Sequence, residues 1–207
     1  MAIYLYGSGG HAKVILDIFD KNHQKITAIL DDNPTFKQKK IYDIPVYSIS
    51  DYLDKIEPNS QWVVAIGDNK IRQKIVFKLK KMGYSFATAI HPSAQIGLGV
   101  KIDVGTVIMA NVVINTDTYI GSHVILNTGA TIDHDCYIAD YCHIAPGCSV
   151  CGGVKINQSV LLGVGSQIKP CLEIGENTIL GAGSTIVKNM PSDSLAYGCP
   201  AKIIKKL

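Results

Sequence analysis

The chain has 207 residues, of which 47% are hydrophobic and 18% are charged, and its formal net charge is +3. This composition is typical of a folded globular protein, and the small net charge argues against a nucleic-acid partner. No window approaches the roughly 18 apolar residues of a membrane-spanning helix, and residues 1–7 lack the features of a secretory signal, so we expect a cytoplasmic protein without membrane insertion.

Short strands and amphipathic helices alternate in the first part of the chain. The apolar pattern predicts strands at residues 3–6, 27–30, 62–66 and 86–89, and helices at 12–19 and 69–82. The second helix is expected to bury one face, formed by Ile71, Ile75, Val76, Leu79 and Met82. This order of elements indicates a small Rossmann-like α/β domain, which we place at residues 1–90.

A glycine-rich turn links the first predicted strand to the first predicted helix. Residues 7–12 read Gly-Ser-Gly-Gly-His-Ala, and Asp31 and Asp32 close the next strand. The glycines allow the backbone to approach a phosphate at the helix N-terminus. An acidic residue at the end of the second strand, where Asp31 and Asp32 stand, can bind the ribose or the base. Because the domain is about half the size of a dinucleotide-binding fold, we expect a ligand with a single nucleotide, with residues 67–69 lining the same sheet edge.

A six-residue repeat occupies the second part of the chain. From Ile96 to Ile186 every sixth residue is aliphatic for sixteen consecutive steps, a period that fits neither a helix nor an ordinary strand. Such a repeat indicates a parallel β-helix, in which each coil buries its apolar edge against its neighbours. We therefore predict an α/β plus all-β chain, with the β-helix at residues 91–207 and its carboxyl-terminal tail folding back over the last coil.

Three six-residue walls make one coil, so residues 18 apart lie above one another. On one wall the outward-pointing column is apolar, and it consists of Val107, Ile125, His143, Leu161 and Ile179. The corresponding columns of the other two walls are far more polar. An apolar stripe facing water is most simply explained as an interface, so we expect a closed ring of three chains. The alternative is that residues near the carboxyl terminus cover the stripe.

One corner of the predicted coil carries candidate catalytic side chains. His134 stands between Asp133 and Asp135, and the glycine pair at 152–153 lies one coil above it. A histidine that a carboxylate orients is suited to act as a general base near neutral pH, and the glycines are expected to leave space for a substrate. His143 falls on the apolar stripe, either as a packing residue or as a polar contact to a ligand.

A zinc site is the main alternative from another functional class. Some β-helix proteins, the γ-class carbonic anhydrases, hold zinc with histidines shared between subunits. His123, His134 and His143 occur close together in the sequence, but their spacings of 11 and 9 residues put them on different corners. We therefore expect no metal, and we expect His123 to be a solvated corner residue.

Several short motifs together resemble one bacterial family. They are residues 6–13 (Tyr-Gly-Ser-Gly-Gly-His-Ala-Lys), 30–32 (Leu-Asp-Asp), 65–69 (Ala-Ile-Gly-Asp-Asn) with Arg72, 132–135 (Ile-Asp-His-Asp), 143–145 (His-Ile-Ala) and 198–202 (Gly-Cys-Pro-Ala-Lys). The family is that of the sugar O-/N-acyltransferases of sialic-acid O-acetyltransferase type. It includes the N-acetyltransferases that modify nucleotide-linked 4-amino-4,6-dideoxy sugars on the way to bacillosamine and related glycans.

The resemblance implies a trimer of left-handed β-helices that binds acetyl-CoA between subunits and holds the nucleotide sugar in the amino-terminal domain. His134 matches the family's general base, and Asp135 stands where the best-known members have a glutamate that raises the pKa of the base. The positions that match coenzyme contacts are His143, Gly152, Val164 and Ala182, and Gly152 would offer its backbone N–H to the thioester carbonyl. The positions that match nucleotide-sugar contacts are Gly9, Gly10 and His11 for the pyrophosphate, Asp31 and Asp32 for the nucleoside, and Gly67.

By this resemblance we expect transfer of an acetyl group from acetyl-CoA to the 4-amino group of a nucleotide-linked sugar, preferably a UDP-sugar, in the synthesis of a bacterial surface or glycoprotein glycan. The sequence does not separate an amine acceptor from a hydroxyl acceptor, so a sugar O-acetyltransferase of sialic-acid type is the nearest alternative. A zinc hydratase and a non-catalytic nucleotide-binding scaffold are the alternatives from other classes.

Overall fold

The computed structural model describes residues 1–32 and 40–207, which form two compact units, Met1–Ala89 and Ile90–Leu207. The first unit contains a mostly parallel sheet with helices, and the second contains the six-residue repeats. Within these described ranges, no helix has both the length and the apolar character needed to cross a membrane.

Among the described residues, six strands form the sheet of the first unit. They are β1 (Ile3–Tyr6), β2 (Ala28–Asp31), β3 (Lys40–Ile41), β4 (Ile44–Ser48), β5 (Gln61–Val64) and β6 (Ser85–Phe86). Their spatial order is β3-β4-β2-β1-β5-β6, and neighbours are parallel except for the antiparallel pair β3 and β4. The helices are α1 (Gly10–Lys21), α2 (Ile49–Tyr52) and α3 (Asn69–Lys81), and Leu53–Lys55 forms a 3₁₀ turn. The predicted Rossmann-like arrangement is confirmed.

Burial of aliphatic side chains holds this sheet in place. Leu5, Ile29 and Val63, on β1, β2 and β5, are completely buried, and α1 buries Ile15 and Phe19. Burying one such side chain stabilises the fold by about 1.5–3 kcal/mol relative to exposure. The carboxyl ends of β1 and β2, where the glycine-rich turn and the two aspartates lie, therefore belong to a well-packed part of the unit.

The buried face of α3 differs from the predicted one. Ile71 and Met82 are 52% and 42% exposed. The buried side chains are Arg72, Val76 and Leu79. Arg72 is buried because its guanidinium group donates hydrogen bonds to two carbonyl oxygens of the turn that precedes the helix and to Oδ1 of Asn69, the first residue of the helix. A hydrophobic pattern places every cation outside, so it does not predict a cation that is buried together with its partners.

Two strands of the sheet have no counterpart in the sequence prediction. β4 pairs with β2 in parallel, with Val46 opposite Ile29, and β3 pairs with β4. β4 contains Pro45, and a proline argues against a strand because it cannot donate a ladder hydrogen bond. β3 has only two residues, too few for an alternating pattern to show.

The second unit is a parallel β-helix of two-residue strands. Wall 1 contains Ala89–Ile90, Val107–Ile108, Ile125–Leu126, His143–Ile144, Leu161–Leu162 and Ile179–Leu180; wall 2 contains Gln95–Ile96, Val113–Ile114, Thr131–Ile132, Ser149–Val150, Gln167–Ile168 and Thr185–Ile186; wall 3 contains Lys101–Ile102, Tyr119–Ile120, Tyr137–Ile138, Lys155–Ile156 and Glu173–Ile174. Paired residues are 18 apart, as Ile114, Ile132 and Val150 show. The predicted period is confirmed.

The aliphatic residue of each six-residue step points into the coil. From Ile108 to Ile186 these side chains are at most 2% exposed. Ile96 is 42% exposed, because it belongs to the first coil and pairs with a neighbour on one side, Ile114. The predicted interior is therefore correct except at the open end of the coil.

The first strand of the β-helix lies one six-residue step before Ile96, the residue at which the repeat begins in the sequence. The segment predicted as a fourth strand, 86–89, is divided between β6 and the short strand Ala89–Ile90, the first strand of wall 1. Ile90 is in phase with the six-residue repeat, and the N–H of His91 donates to the carbonyl oxygen of Ile108 at 2.8 Å. Residues 91–93 therefore form the first corner of the coil.

The outward stripe of wall 1 is less exposed than predicted. Val107 and Ile125 are each 1% exposed, whereas His143, Leu161 and Ile179 are half-buried. Strand alternation fixes the direction in which a side chain points, but it does not fix what lies over that side of the sheet. The part of the stripe that is open in a single chain is therefore its last three residues.

The carboxyl-terminal tail extends wall 1. Ser194–Gly198 pairs in parallel with Ile179–Leu180, and Ala201–Lys206 pairs with Ser194–Gly198 in the antiparallel direction. The predicted fold-back is thus a hairpin that adds two strands to one wall.

Candidate active site

His134 lies in the corner that joins walls 2 and 3. Its Nδ1 is 2.7 Å from Oδ2 of Asp135, and the two side chains are 57% and 67% exposed. Asp135 has a φ of 57°, a left-handed conformation that aspartate tolerates better than most residues. The short aspartate side chain therefore reaches the ring, and the corner presents an imidazole to solvent with a carboxylate on one nitrogen.

Asp133 and Asn115 hold the start of this corner. Oδ1 of Asp133 accepts hydrogen bonds from the backbone N–H of His134 at 2.9 Å and from Nδ2 of Asn115 at 2.8 Å. The hydroxyl of Thr118 donates to the backbone carbonyl of Asp133 at 2.9 Å. Sequence reasoning did not single out Asn115, although it lies 18 residues before Asp133 and the repeat therefore brings the two together.

The two carboxylates change the acid–base properties of the imidazole. The hydrogen bond to Asp135 raises the pKa of His134 above its usual value, and the negative charge of Asp133 raises it further. The amide of Asn115, followed by the backbone N–H of His134, lowers the pKa of Asp133. Because Nδ1–H donates to Asp135, Nε2 is the basic nitrogen of the neutral ring.

Gly152 lies next to this imidazole in the following coil. A Cβ atom at position 152 would come within 2.7 Å of Cε1 and 2.8 Å of Nε2 of His134. The predicted empty step beside the imidazole is therefore wrong, because the ring itself occupies the space that the missing side chain provides. Glycine at this position allows the ring to lie against the backbone.

Gly152, which lies against the imidazole, has a backbone N–H that is not paired within the described residues. The neighbouring amides are paired, since Cys151 donates to Ile168 at 3.2 Å and Gly153 donates to the carbonyl oxygen of His134 at 3.0 Å. The N–H of Gly152, a buried residue, has no acceptor within residues 1–32 and 40–207. A backbone N–H without a partner in the protein can donate to a ligand, and such donors are used to stabilise an oxyanion during acyl transfer.

The other predicted coenzyme contacts lie elsewhere on the coil. His143 is on wall 1, and its Nε2 is 3.2 Å from Nδ2 of Asn127. Val164 and Ala182 are exposed in the corner that joins walls 1 and 2. His134 and these two residues therefore lie at opposite edges of wall 2 in one chain, and a single chain does not bring them together.

His123 is not the solvated residue that the sequence predicts. It is 4% exposed, and its ring stacks on Tyr141 with centroids 5.4 Å apart. Gly105 provides the space, since a Cβ atom there would lie 2.2 Å from Nδ1 of His123. Among the described residues, no group of three or more His, Cys, Asp or Glu side chains is arranged to hold a metal ion.

In the first unit, Asp31 fixes the glycine-rich turn. Ser8 donates to Oδ2 of Asp31 from its backbone N–H at 2.8 Å and from its hydroxyl at 2.6 Å. Gly7 has a φ of 104°, and a Cβ atom there would lie 2.7 Å from Cδ1 of Ile66. The sequence reasoning did not identify Ser8, whose place directly after Gly7 puts its N–H at the carboxyl edge of the sheet.

This turn leaves the N-terminus of α1 open. Gly9 and Gly10 are exposed, a Cβ atom at either position would meet nothing within 4 Å, and no side chain caps the helix. His11 is half-buried in the first turn of α1. Uncapped N–H groups and the positive end of the helix dipole make this a suitable site for a phosphate group.

Asp32 and Gly67 also take part in internal contacts at this edge. The hydroxyl of Tyr6 donates to Asp32, and burial together with this hydrogen bond raises the pKa of Tyr6. Arg72 donates to the carbonyl oxygens of Ile66 and Gly67, both at 3.0 Å. Internal hydrogen bonds therefore fix the side chain of Asp32 and the backbone of Gly67 at this edge of the sheet.

Two family models match the chain. The PglD N-terminal domain matches residues 2–79, and the bacterial transferase hexapeptide model (six repeats) matches residues 117–152. Among curated proteins, UDP-N-acetylbacillosamine N-acetyltransferase of Bacillus subtilis (strain 168) is 35% identical over 111 residues, which cover 52% of this chain and 51% of that protein. The chain thus spans about half the length of the curated relatives that it matches.

Solved structures match the whole chain. A histidine-to-asparagine mutant of perosamine N-acetyltransferase from Caulobacter crescentus, in complex with CoA and GDP-perosamine, is 37% identical with a TM-score of 0.92, covering 100% of this chain and 98% of that one. The acetyltransferase domain of PglB from Neisseria gonorrhoeae FA1090 is 30% identical with a TM-score of 0.90, covering 98% and 99%. The chain therefore belongs to the PglB/PglD-type family of hexapeptide-repeat sugar acetyltransferases.

Proposed function

We propose that this protein is an acetyl-CoA-dependent N-acetyltransferase that acts on the 4-amino group of a nucleotide-linked 4-amino-4,6-dideoxy sugar, in the synthesis of a bacterial surface or glycoprotein glycan. The observation that carries the proposal is the exposed imidazole of His134, with Asp135 on Nδ1 and the backbone of Gly152 against the ring. The similarity to a protein crystallised with CoA and GDP-perosamine supports the choice of both substrates.

In the proposed reaction, the amine nitrogen attacks the carbonyl carbon of the thioester. A C–N bond forms, the C–S bond breaks, and Nε2 of His134 takes the proton that the amine loses and returns it to the departing thiolate of coenzyme A. The N–H of Gly152 stabilises the negative charge that develops on the carbonyl oxygen. Asp135 keeps the imidazole in the tautomer that has a basic Nε2. Neither a metal ion nor a covalent intermediate on the enzyme takes part.

The proposal assigns the two substrates to different parts of the chain. Residues 1–90 bind the nucleotide sugar, with Gly9, Gly10 and His11 at its pyrophosphate. Asp31, Asp32 and Gly67 line the same edge of the sheet, toward the nucleoside and the sugar. The uncapped end of α1 supports this assignment, because it supplies N–H donors where a diphosphate would lie. Residues 91–207 carry out the transfer.

We also propose a homotrimer that binds acetyl-CoA in the grooves between neighbouring chains. The last three residues of the stripe on wall 1 are still partly exposed in a single chain, which supports an interface on this wall. Within one chain, His134 and the pair Val164 and Ala182 lie at opposite edges of wall 2. This separation supports a shared site, in which one chain provides the His134 corner and its neighbour provides the corner with Val164 and Ala182. Since acetyl-CoA and nucleotide sugars are cytoplasmic metabolites, the proposal implies a cytoplasmic enzyme.

The proposal is tested by following free thiol while acetyl-CoA is incubated with UDP- and GDP-linked 4-amino-4,6-dideoxy sugars. We expect thiol release with at least one of these amines and none with its 4-hydroxy analogue. Release with the hydroxy analogue alone would instead identify a sugar O-acetyltransferase. Binding of the nucleotide sugars without any thiol release would reject the catalytic proposal.

A further inference from the structure

The first residue after the buried aliphatic position can pair the next backbone N–H of a corner. Oδ1 of Asn127 accepts from the N–H of Thr128 at 2.8 Å, and Oδ1 of Asp133 accepts from the N–H of His134 at 2.9 Å. A short side chain with an oxygen atom is suited to this local contact. At these two corners the backbone donor is already bonded within the protein, whereas the N–H of Thr116, which follows Asn115 one coil below Asp133, has no acceptor among the described residues.

Position 151 is the equivalent position one coil above Asp133, and its side chain has no oxygen. The thiol of Cys151 is a weak acceptor, and the N–H of Gly152 has no partner within residues 1–32 and 40–207. Two successive coils thus differ at the same corner, since the amide of His134 is paired and the amide of Gly152 is open. The open amide belongs to the glycine whose missing Cβ atom leaves room for the imidazole of His134.

We propose that the absence of a strong hydrogen-bond acceptor at position 151, where Cys151 stands, keeps the N–H of Gly152 available to the thioester oxygen, while Asp133 removes the competing N–H of His134. The inference rests on the proposed function, in which the N–H of Gly152 stabilises the oxyanion. Any side chain at position 151 that accepts this hydrogen bond would compete with the reacting oxygen for the same donor.

Substitutions at position 151 test the proposal directly. Cys151→Asp places a carboxylate where Asp133 stands one coil below, and Cys151→Asn offers the same acceptor without the charge. We expect each substitution to lower kcat about 10²- to 10³-fold, the usual loss for one oxyanion donor, with the KM for both substrates almost unchanged. Hydrogen exchange of the Gly152 amide should become slower in both variants, since the N–H is then bonded.

Two controls separate this effect from general damage to the coil. Cys151→Ala removes the thiol but offers no acceptor, so we expect the kcat of the unmodified protein. Ala139→Asn introduces the same kind of acceptor in the corner that joins walls 3 and 1, away from His134, and should leave kcat unchanged. Loss of activity in Cys151→Ala would show that the thiol has a role of its own and would overturn the proposal.

Wild-type kcat in both Cys151→Asp and Cys151→Asn would also overturn the inference, as would a loss confined to the charged variant. These outcomes are distinct from failure of the proposed function. If no nucleotide amino sugar supports thiol release by the unmodified protein, the proposed function fails, whereas the exchange rate of the Gly152 amide still reports whether position 151 controls that donor.

Discussion

At the scale of single residues, the charge on Asp135 determines the pH range in which His134 can act as a base. The hydrogen bond raises the pKa of His134, so the base becomes neutral only at a pH above the range usual for histidine. In Asp135→Asn the imidazolium loses this stabilisation and its pKa falls. We expect the acid limb of the kcat/KM profile to move to lower pH, and the plateau to fall about 10- to 100-fold because the base is weaker.

Asp117→Asn is the matched control for this measurement. Asp117 lies 18 residues before Asp135, has the same left-handed φ of 57°, and is exposed at the same corner one coil below. We expect its profile to match that of the unmodified protein. An acid limb that does not move in Asp135→Asn, or that moves equally in Asp117→Asn, would contradict the role given to the carboxylate of Asp135.

The contact between Gly152 and the imidazole predicts a coupling between two substitutions. Gly152 does not have a positive φ, so the backbone of Gly152→Ala is not strained, but the new methyl group displaces the ring. A displacement of about 1 Å can cost about 100-fold in kcat, and overpacking typically costs about 1–3 kcal/mol of the free energy of unfolding. Urea unfolding of Gly152→Ala in the His134→Ala background should show almost none of this loss, because the ring is absent. Equal losses in both backgrounds would show that the ring is not the cause.

At the scale of elements, the walls of the coil are stabilised by their interior aliphatic side chains. Leu162 on wall 1 is completely buried, whereas Leu98 in a corner is 85% exposed. Leu162→Ala should lower the free energy of unfolding by about 2–5 kcal/mol, because it removes buried methyl groups and leaves a cavity. Leu98→Ala should change it by less than about 0.5 kcal/mol. Urea unfolding of both variants checks this difference, and similar values for the two would contradict the assignment of interior positions.

The elements also show which structural features a sequence can predict. The six-residue period predicts the strands of the coil because each step repeats one physical requirement, a buried aliphatic side chain. β4 is missed because Pro45 contradicts the strand pattern, and the buried face of α3 is misplaced because Arg72 is buried with its acceptors. These exceptions depend on contacts between distant segments, which periodicity does not contain.

The sequence predicts part of the candidate site as well. His134 and Asp135 can be found from residue type and position in the repeat, and the 18-residue register contains the contact between Asn115 and Asp133. The orientation of the imidazole against Gly152 cannot be found in this way, since a pair of glycines indicates space but does not show which side chain occupies it. For the same reason His123 is expected in solvent but is buried above Gly105.

At the scale of the whole molecule, the proposed trimer predicts that assembly and activity are lost together. Leu161→Asp places a charge on the half-buried stripe of wall 1, and Gln167→Asp places the same charge on the exposed side of wall 2. Light scattering should give the mass of three 22.4 kDa chains for the unmodified protein and for Gln167→Asp, and of one chain for Leu161→Asp. Leu161→Asp should also release no coenzyme A. A fully active single chain would contradict the shared site.

The general base assignment has the most direct test. His134→Ala should retain the thermal transition of the unmodified protein and its affinity for acetyl-CoA, because His134 is more than half exposed and contributes little to the core. Its kcat for thiol release from acetyl-CoA in the presence of the amino sugar should fall about 10²- to 10⁴-fold, the usual contribution of a positioned general base. A folded His134→Ala variant that releases coenzyme A at the rate of the unmodified protein would contradict the assignment.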